Sequence, residues 1–189
     1  MEIKKLYEIV EQEEKEGRMG DKTYWNDLWK DYIEEKSGDY RMLDVKEAMS
    51  RFVSEQNLRL RRNVNNCGEL GVDIRVGDIC YIDYGEAYIN EIGYQHFGII
   101  LSIFHNKAFV VPMSGNRGAF QQAYGKDNPE GKRHLMRLGK MEGMNKESVL
   151  FINDAKFINT ARIIDVKAHL DRRSPLFHDI KERVKMCLD

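Results

Sequence analysis

Gly98-Ile99-Ile100-Leu101 is an unbroken apolar run of the kind that fills a buried strand, and His96 stands just before it, between Gln95 and Phe97. Imidazole, with an ordinary pKa of about 6.5, takes and gives protons near neutral pH. A histidine at the mouth of a buried strand is either a general acid or base or a ring that caps the end of a sheet. Downstream, Ser114-Gly115 closes the apolar run Val110 to Met113; by itself such a pair reads as a turn. Between 115 and 133 the chain carries Arg117, Lys126, Lys132 and Arg133 against Asp127 and Glu130, with Phe120 and Tyr124 among them. Charge and stacking of this kind can track a single nucleic-acid strand, and the competing reading is a solvated loop. His134 follows directly, beside Arg133. His105, His169 and His178 attract no chemistry. The histidines lack matching cysteine or carboxylate spacing, so neither a metal site nor a cofactor is expected.

The bulk numbers narrow the class. The chain has 189 residues, 42% hydrophobic and 32% charged, with a net charge of −1. That size holds one sizeable core, or one core with a small appendage. The overall field favours neither nucleic acid nor membrane. Three widely separated cysteines, Cys67, Cys80 and Cys187, exclude a CxxC knuckle and argue against a disulfide scaffold. A reducing cytoplasm is the simplest setting. The N-terminal segment has no apolar signal region, and no run approaches the ~20 apolar residues of a membrane span. A cytoplasmic protein without a membrane partner is expected.

The elements that must position these residues fall into two regions. Residues 1–70 read as helices. Ile3, Leu6, Ile9 and Val10 keep a helical spacing, and the acidic run Glu11 to Glu16 reads as a solvated face. From Asp21, the residues Tyr24, Trp25, Leu28, Trp29, Tyr32 and Ile33 form an aromatic stripe suited to packing. A third helix starts at the N-cap Asp44 and runs to Leu60, with Arg59, Arg61 and Arg62 at its C-terminal end. Residues 71–189 read as short strands over 79–83, 97–104, 108–113, 134–138, 148–152 and 155–158, with 115–131 as a polar loop. Ser174 then caps a last helix begun by Pro175, with Leu176, Phe177, Ile180, Val184 and Leu188 on one face. The helical region is net acidic and the strand region mildly basic. The pattern predicts an α+β chain: a helical extension over 1–70, then a small antiparallel barrel or curled sheet over 71–189.

The order of the strands resembles the MazF/PemK (Kid-like) toxin family of endoribonucleases. Residues 75–83, RVGDICYID, are similar to that family's opening "RGDIYxVD" strand. Glu91 and Gly93 before HFGIIL resemble its "EQGGxRPxLVI" segment, and VVPMS at 110–114 resembles "VAPITS". NKESVLFI at 145–152 resembles "LxKDSVVLL", KFINTARI at 156–163 resembles "IRTIDKxRL", and His169-Leu170 resembles its "GHL". The likeness spans roughly residues 74 to 188, and the second and third strands also look like those of ToxN-type toxins. Residues 1–70 match nothing in the family core.

This resemblance implies an SH3-like antiparallel barrel with a C-terminal helix. It also implies metal-independent cleavage of single-stranded RNA, in which the ribose 2′-OH attacks the adjacent phosphate. It implies an antitoxin partner that occupies the RNA groove, and a homodimer. In its pattern the catalytic arginine falls on His96, with Phe97 in place of the following proline, and the catalytic threonine or serine falls on Ser114. The reaction needs a base, an acid and positive charge at the phosphorane, and imidazole serves proton transfer better than guanidinium. The implied roles are then His96 as acid or base, Ser114 as holder of the scissile phosphate, and His134 as a second acid or base. Arg117, Lys132, Arg133 and Glu91 are the implied RNA- and phosphate-binding residues, and Asp154 is a structural polar residue nearby. Two other readings stand beside this one. One is a non-cleaving RNA-binding or regulatory protein on the same fold. The other is a toxin whose residues 1–70 form a fused partner-docking module.

Overall fold

A computed structural model of the chain describes residues 2–12 and 17–187. Glu13 to Glu16 of the acidic run, and Leu188 of the last helix, lie outside them. The described residues divide into two compact units, Met1–Met49 and Ser50–Asp189.

The first unit holds helices α1 (Ile3–Gln12) and α2 (Trp25–Met42) and the start of α3 (Val45–Arg61). Its aromatic stripe forms as the spacing predicts: Trp25 stacks on Trp29 at 5.4 Å between centroids, and Trp29 meets Tyr32 at 5.7 Å. Leu28 is buried, but Trp29, Tyr32 and Ile33 stay exposed. Residues 19–21 form a short 3-10 turn before α2, which begins four positions after the expected start at Asp21. Asp44 accepts the Glu47 amide at 2.8 Å, the expected N-cap of α3.

The boundary between the units falls inside α3, whereas the sequence pattern changes near residue 70. The second half of α3 is fastened to the sheet. Ser54 Oγ and Asn57 Nδ2 each donate to the buried Asp83 carboxylate at 2.7 Å, and Arg61 Nη1 donates to the carbonyls of Ala161 and Ile163.

The sheet of the second unit contains β1 (Asp78–Asp83), β2 (Gln95–Phe104), β3 (Lys107–Ser114), β4 (Ala123–Tyr124), β5 (Lys132–Lys140), β6 (Glu147–Phe151), β7 (Lys156–Asn159) and β8 (Ile163–His169). Helix α4 (Arg117–Gln122) precedes β4, and α5 (Pro175–Lys185) follows β8. Strand order is β4-β5-β6-β3-β2-β1-β8, with β7 also on β3. The fold is α+β as predicted, and of the two expected forms, barrel or curled sheet, the sheet is open. β6 and β7 share one edge of β3: Met113 and Ser114 pair with β6, while Lys107 to Val110 pair with β7. The chain therefore bends at the 3-10 turn Ile152–Asp154, and a bulge between Ile100 and Ser102 bends β2 against β3.

Alternation along β2 feeds two cores. Ile99 and Leu101 join Ile79, Val111, Met113 and Leu150 under α5, whose Phe177, Ile180 and Val184 cover them. Ile100 joins Cys80, Ile82, Val110 and Ile163 on the other face. Gly98 is required there, because a Cβ would lie 2.2 Å from Tyr84 Oη. Ser174 caps α5 by accepting the Phe177 amide, with Pro175 at the first position.

Two elements depart from the sequence reading. Residues 117–122 form α4 within the expected polar loop, capped by Asn116, which accepts the Ala119 amide at 3.0 Å. Residues 163–169 form β8, an edge strand that among the described residues pairs only with β1. Its Asp165 and Lys167 pair with each other. Such charges protect a sheet edge and dilute the apolar alternation that would reveal the strand.

Candidate functional site

A cavity of ≈590 Å³ opens where β2 begins and β3 ends, beside α4, β5 and the Ile152–Asp154 bend. His96, the second residue of β2, is half-buried in its wall. Its Nδ1 lies 2.7 Å from the carbonyl oxygen of Gly93. A carbonyl only accepts, so Nδ1 carries the proton and the neutral ring keeps its lone pair on Nε2. That leaves Nε2 as the basic nitrogen.

The carbonyl is held by a folded-back loop. Tyr84 N–H donates to Tyr94 O at 2.7 Å and Tyr94 N–H to Gly85 O at 2.6 Å, closing its base. A Cβ at Gly93 would sit 2.9 Å from Ala87 Cβ and 3.1 Å from Gly85 O, so the turn is built around a residue without one. Asp154 Oδ2 accepts the Ile92 amide at 2.9 Å and ties the same loop to the bend after β6. Asp154 thus has the structural role the sequence suggests, and it also lines the cavity.

Ser114 ends β3, half-buried, and its Oγ accepts the Asn116 amide at 3.2 Å. Its own O–H remains to donate to an oxygen anion. On α4, Ala119 and Gln122 stand three residues apart and face the cavity. Arg137 holds that short helix in place, donating from Nε to Phe120 O at 2.9 Å and from Nη2 to Gln121 O at 3.2 Å.

Six of the residues singled out in the sequence line this one cavity: Glu91, His96, Ser114, Lys132, His134 and Asp154. Arg117 and Arg133 are not in its wall. Lys132 and His134 alternate on β5 and share a face, which sends Arg133 to the other one. Arg117 opens α4 on the side away from Ala119 and Gln122. His105 sits in the β2–β3 turn with φ 52°, and His169 Nδ1 is 2.8 Å from Asp78 Oδ1. Neither they nor His178 line the cavity. Asn90, Asn116, Gln122 and Asn153 do line it. Sequence reasoning missed these amides; the one readable signal was Asn116 three residues before Ala119, a helix cap. Among the described residues, no cluster of three His, Cys, Asp or Glu side chains is placed to hold a metal ion.

Lys132 shares the lining of this cavity with two carboxylates, Glu91 and Asp154. The arrangement offers one oriented imidazole, one exposed imidazole, a hydroxyl donor and an ammonium group: the parts of a proton-transfer site acting on a phosphate ester.

No protein-family model matches this chain, and no curated protein does. Among solved structures it is similar to the Mycobacterium tuberculosis toxin MazF-mt6, at 12% identity over 59% of this chain and 96% of that one, with a TM-score of 0.41. It is also similar to an endoribonuclease in complex with its cognate antitoxin from mycobacterial species. There the identity is 9% over 61% of this chain and 95% of that one, and the TM-score is 0.41. The structural neighbours are thus a MazF toxin and an endoribonuclease bound to its antitoxin. No described helix is long and apolar enough to cross a membrane.

Proposed function

We propose that this chain is a toxin-like endoribonuclease of a toxin–antitoxin pair, cleaving single-stranded RNA without a metal on an SH3-like curled sheet. The observation that carries the reading is the convergence of His96, Ser114, His134 and Lys132 on one cavity from three separate strands. The order of sequence motifs supports it independently.

In this reading His96 Nε2 takes the proton of a ribose 2′-OH, whose oxygen attacks the adjacent phosphorus. The P–O5′ bond breaks, and protonated His134 gives its proton to the leaving 5′-oxygen. The products are a 2′,3′-cyclic phosphate and a 5′-OH end. Ser114 O–H and Lys132 hold the phosphate oxygens as charge builds on the phosphorane. Glu91, a carboxylate, accepts from ribose hydroxyls or base amino groups instead of binding phosphate. Arg117 and Arg133, outside the cavity wall, serve flanking phosphates. The protein acts in the cytoplasm as a homodimer that shares an RNA groove, and an antitoxin covers that groove. Sedimentation at micromolar concentration checks the dimer.

One observation favours a second reading, a regulatory RNA-binding protein that does not cleave. The cavity's lysine is outnumbered by Glu91 and Asp154, and a histidine stands where the resemblance expects an arginine. Incubating the purified protein with a long RNA in EDTA and mapping the ends separates these readings. Fragments ending in 2′,3′-cyclic phosphate support cleavage. Intact RNA retained by the protein supports the regulatory reading.

A further inference from the structure

The second unit contains another cavity, ≈420 Å³, between the later half of α3, the end of β1 and the stretch 159–162. It shares no lining residue with the His96 cavity. Four arginines line it: Arg51, Arg61, Arg62 and Arg162. Arg51 pairs with Glu86 at 3.1 Å. The other three meet no carboxylate among the described residues. Arg61 Nη1 donates to the carbonyls of Ala161 and Ile163 at 3.2 and 3.0 Å. Arg162 Nη1 donates to those of Asp83 and Tyr84 at 3.1 and 3.0 Å. The Arg62 side chain has no hydrogen-bond or ion-pair partner among the described residues.

Three carboxylates, Glu55, Asp83 and Glu86, line the same cavity; Glu86 pairs with Arg51, and none of the three forms an ion pair with Arg61, Arg62 or Arg162 among the described residues. Asp83 is buried and already accepts from the Ser54 hydroxyl, the Asn57 amide and the Gly85 N–H at 2.7, 2.7 and 3.0 Å. Backbone carbonyls therefore hold Arg61 and Arg162 through one nitrogen each and leave their remaining donors unused. Three like charges gathered in one cleft repel one another, and an anion with several oxygens relieves that repulsion. Guanidinium forks match phosphate oxygens in geometry as well as charge. Leu58 and Tyr94 add an apolar and aromatic wall, and the volume lies within the range of small-ligand sites.

We propose that this cleft binds a nucleoside phosphate, with the phosphate on Arg61, Arg62 and Arg162 and the base against Leu58 and Tyr94. Two sources present this chemistry, a free mononucleotide and a nucleotide within a longer strand. Calorimetric titration of the full chain with each of the four nucleoside 5′-monophosphates, with inorganic phosphate and with a nucleoside tests the site. A short single-stranded DNA oligonucleotide, which lacks the 2′-OH, supplies the strand arm. At least one mononucleotide or the oligonucleotide should bind saturably and more tightly than phosphate or nucleoside alone. Arg62→Glu, at an exposed side chain without protein partners, should weaken that binding by about tenfold or more with the circular dichroism unchanged. Displacement of the mononucleotide by the oligonucleotide assigns the phosphate to a strand; its failure to displace assigns a free nucleotide. The proposal is overturned if neither ligand class binds, or if binding is equal in wild type, Arg62→Glu and Arg162→Gln.

Discussion

His96 takes its orientation from one backbone carbonyl, and Ser114 keeps its hydroxyl proton available because a backbone amide already occupies its oxygen. Ser114→Ala should therefore cost 1.5–3 kcal/mol or about that in kcat/KM, the usual worth of a hydrogen bond to a charged group. RNA affinity should change little, since it rests on several phosphate contacts. Steady-state kinetics with parallel filter binding would check both. The cysteines make a separate prediction. Burial pushes the Cys80 thiol up to about 12, with the Asp78 charge adding to it, and burial also raises Cys67. A group with a raised folded-state pKa stabilises the fold at neutral pH and loses that contribution as pH climbs from its unfolded value through the folded one. Stability should thus fall between about pH 9 and pH 12. At neutral pH a thiol reagent should modify exposed Cys187 quickly, and Cys67 and Cys80 only after denaturation. His96 stood out in the sequence at the head of an apolar strand, whereas Ser114 and His134 were singled out through the family resemblance. Asn153 and the tie from Asp154 to Ile92 were not legible, because long-range closure alone brings them in.

At the scale of elements, legibility followed periodicity. α3 and α5 announced themselves with caps and apolar faces, and β1 to β3 with apolar runs between turns. α4 spans a turn and a half behind Gly115 and contains Gly118, so composition reads it as loop. β8 hides behind Asp165 and Lys167. The joint between α3 and β1 was equally silent, since Ser54 and Asn57 look like ordinary polar helix residues until Asp83 is placed beneath them. Ser54→Ala leaves that buried carboxylate short of a donor and should destabilise the fold by roughly 1.5–3 kcal/mol. Urea unfolding should show a lower midpoint with an unchanged slope.

For the whole molecule, the unit boundary inside α3 determines where the chain can be cut. A chain beginning at Ser50 keeps Ser54, Asn57 and Arg61 on the sheet and should fold cooperatively. Because the helices removed carry net negative charge, it should bind RNA as well as or better than the full chain. A chain beginning at residue 71 loses those three anchors and the buried Cys67, and exposes the second core. It should unfold at a clearly lower temperature or be insoluble. Scanning calorimetry of the two truncations makes the comparison. The two-region grammar of the sequence was visible, but it marks where helix pattern gives way to strand pattern. The contacts of the last helical turns are set by what they touch across the chain.

Catalysis at His96 is the central claim, and cleavage of a long single-stranded RNA in EDTA by wild type and His96→Ala tests it most directly. A positioned acid or base is worth about 10²–10⁴-fold, so the variant should cleave that much more slowly while binding RNA as before. Wild-type products should end in 2′,3′-cyclic phosphate. Equal cleavage by the two proteins, or none by either, would contradict it.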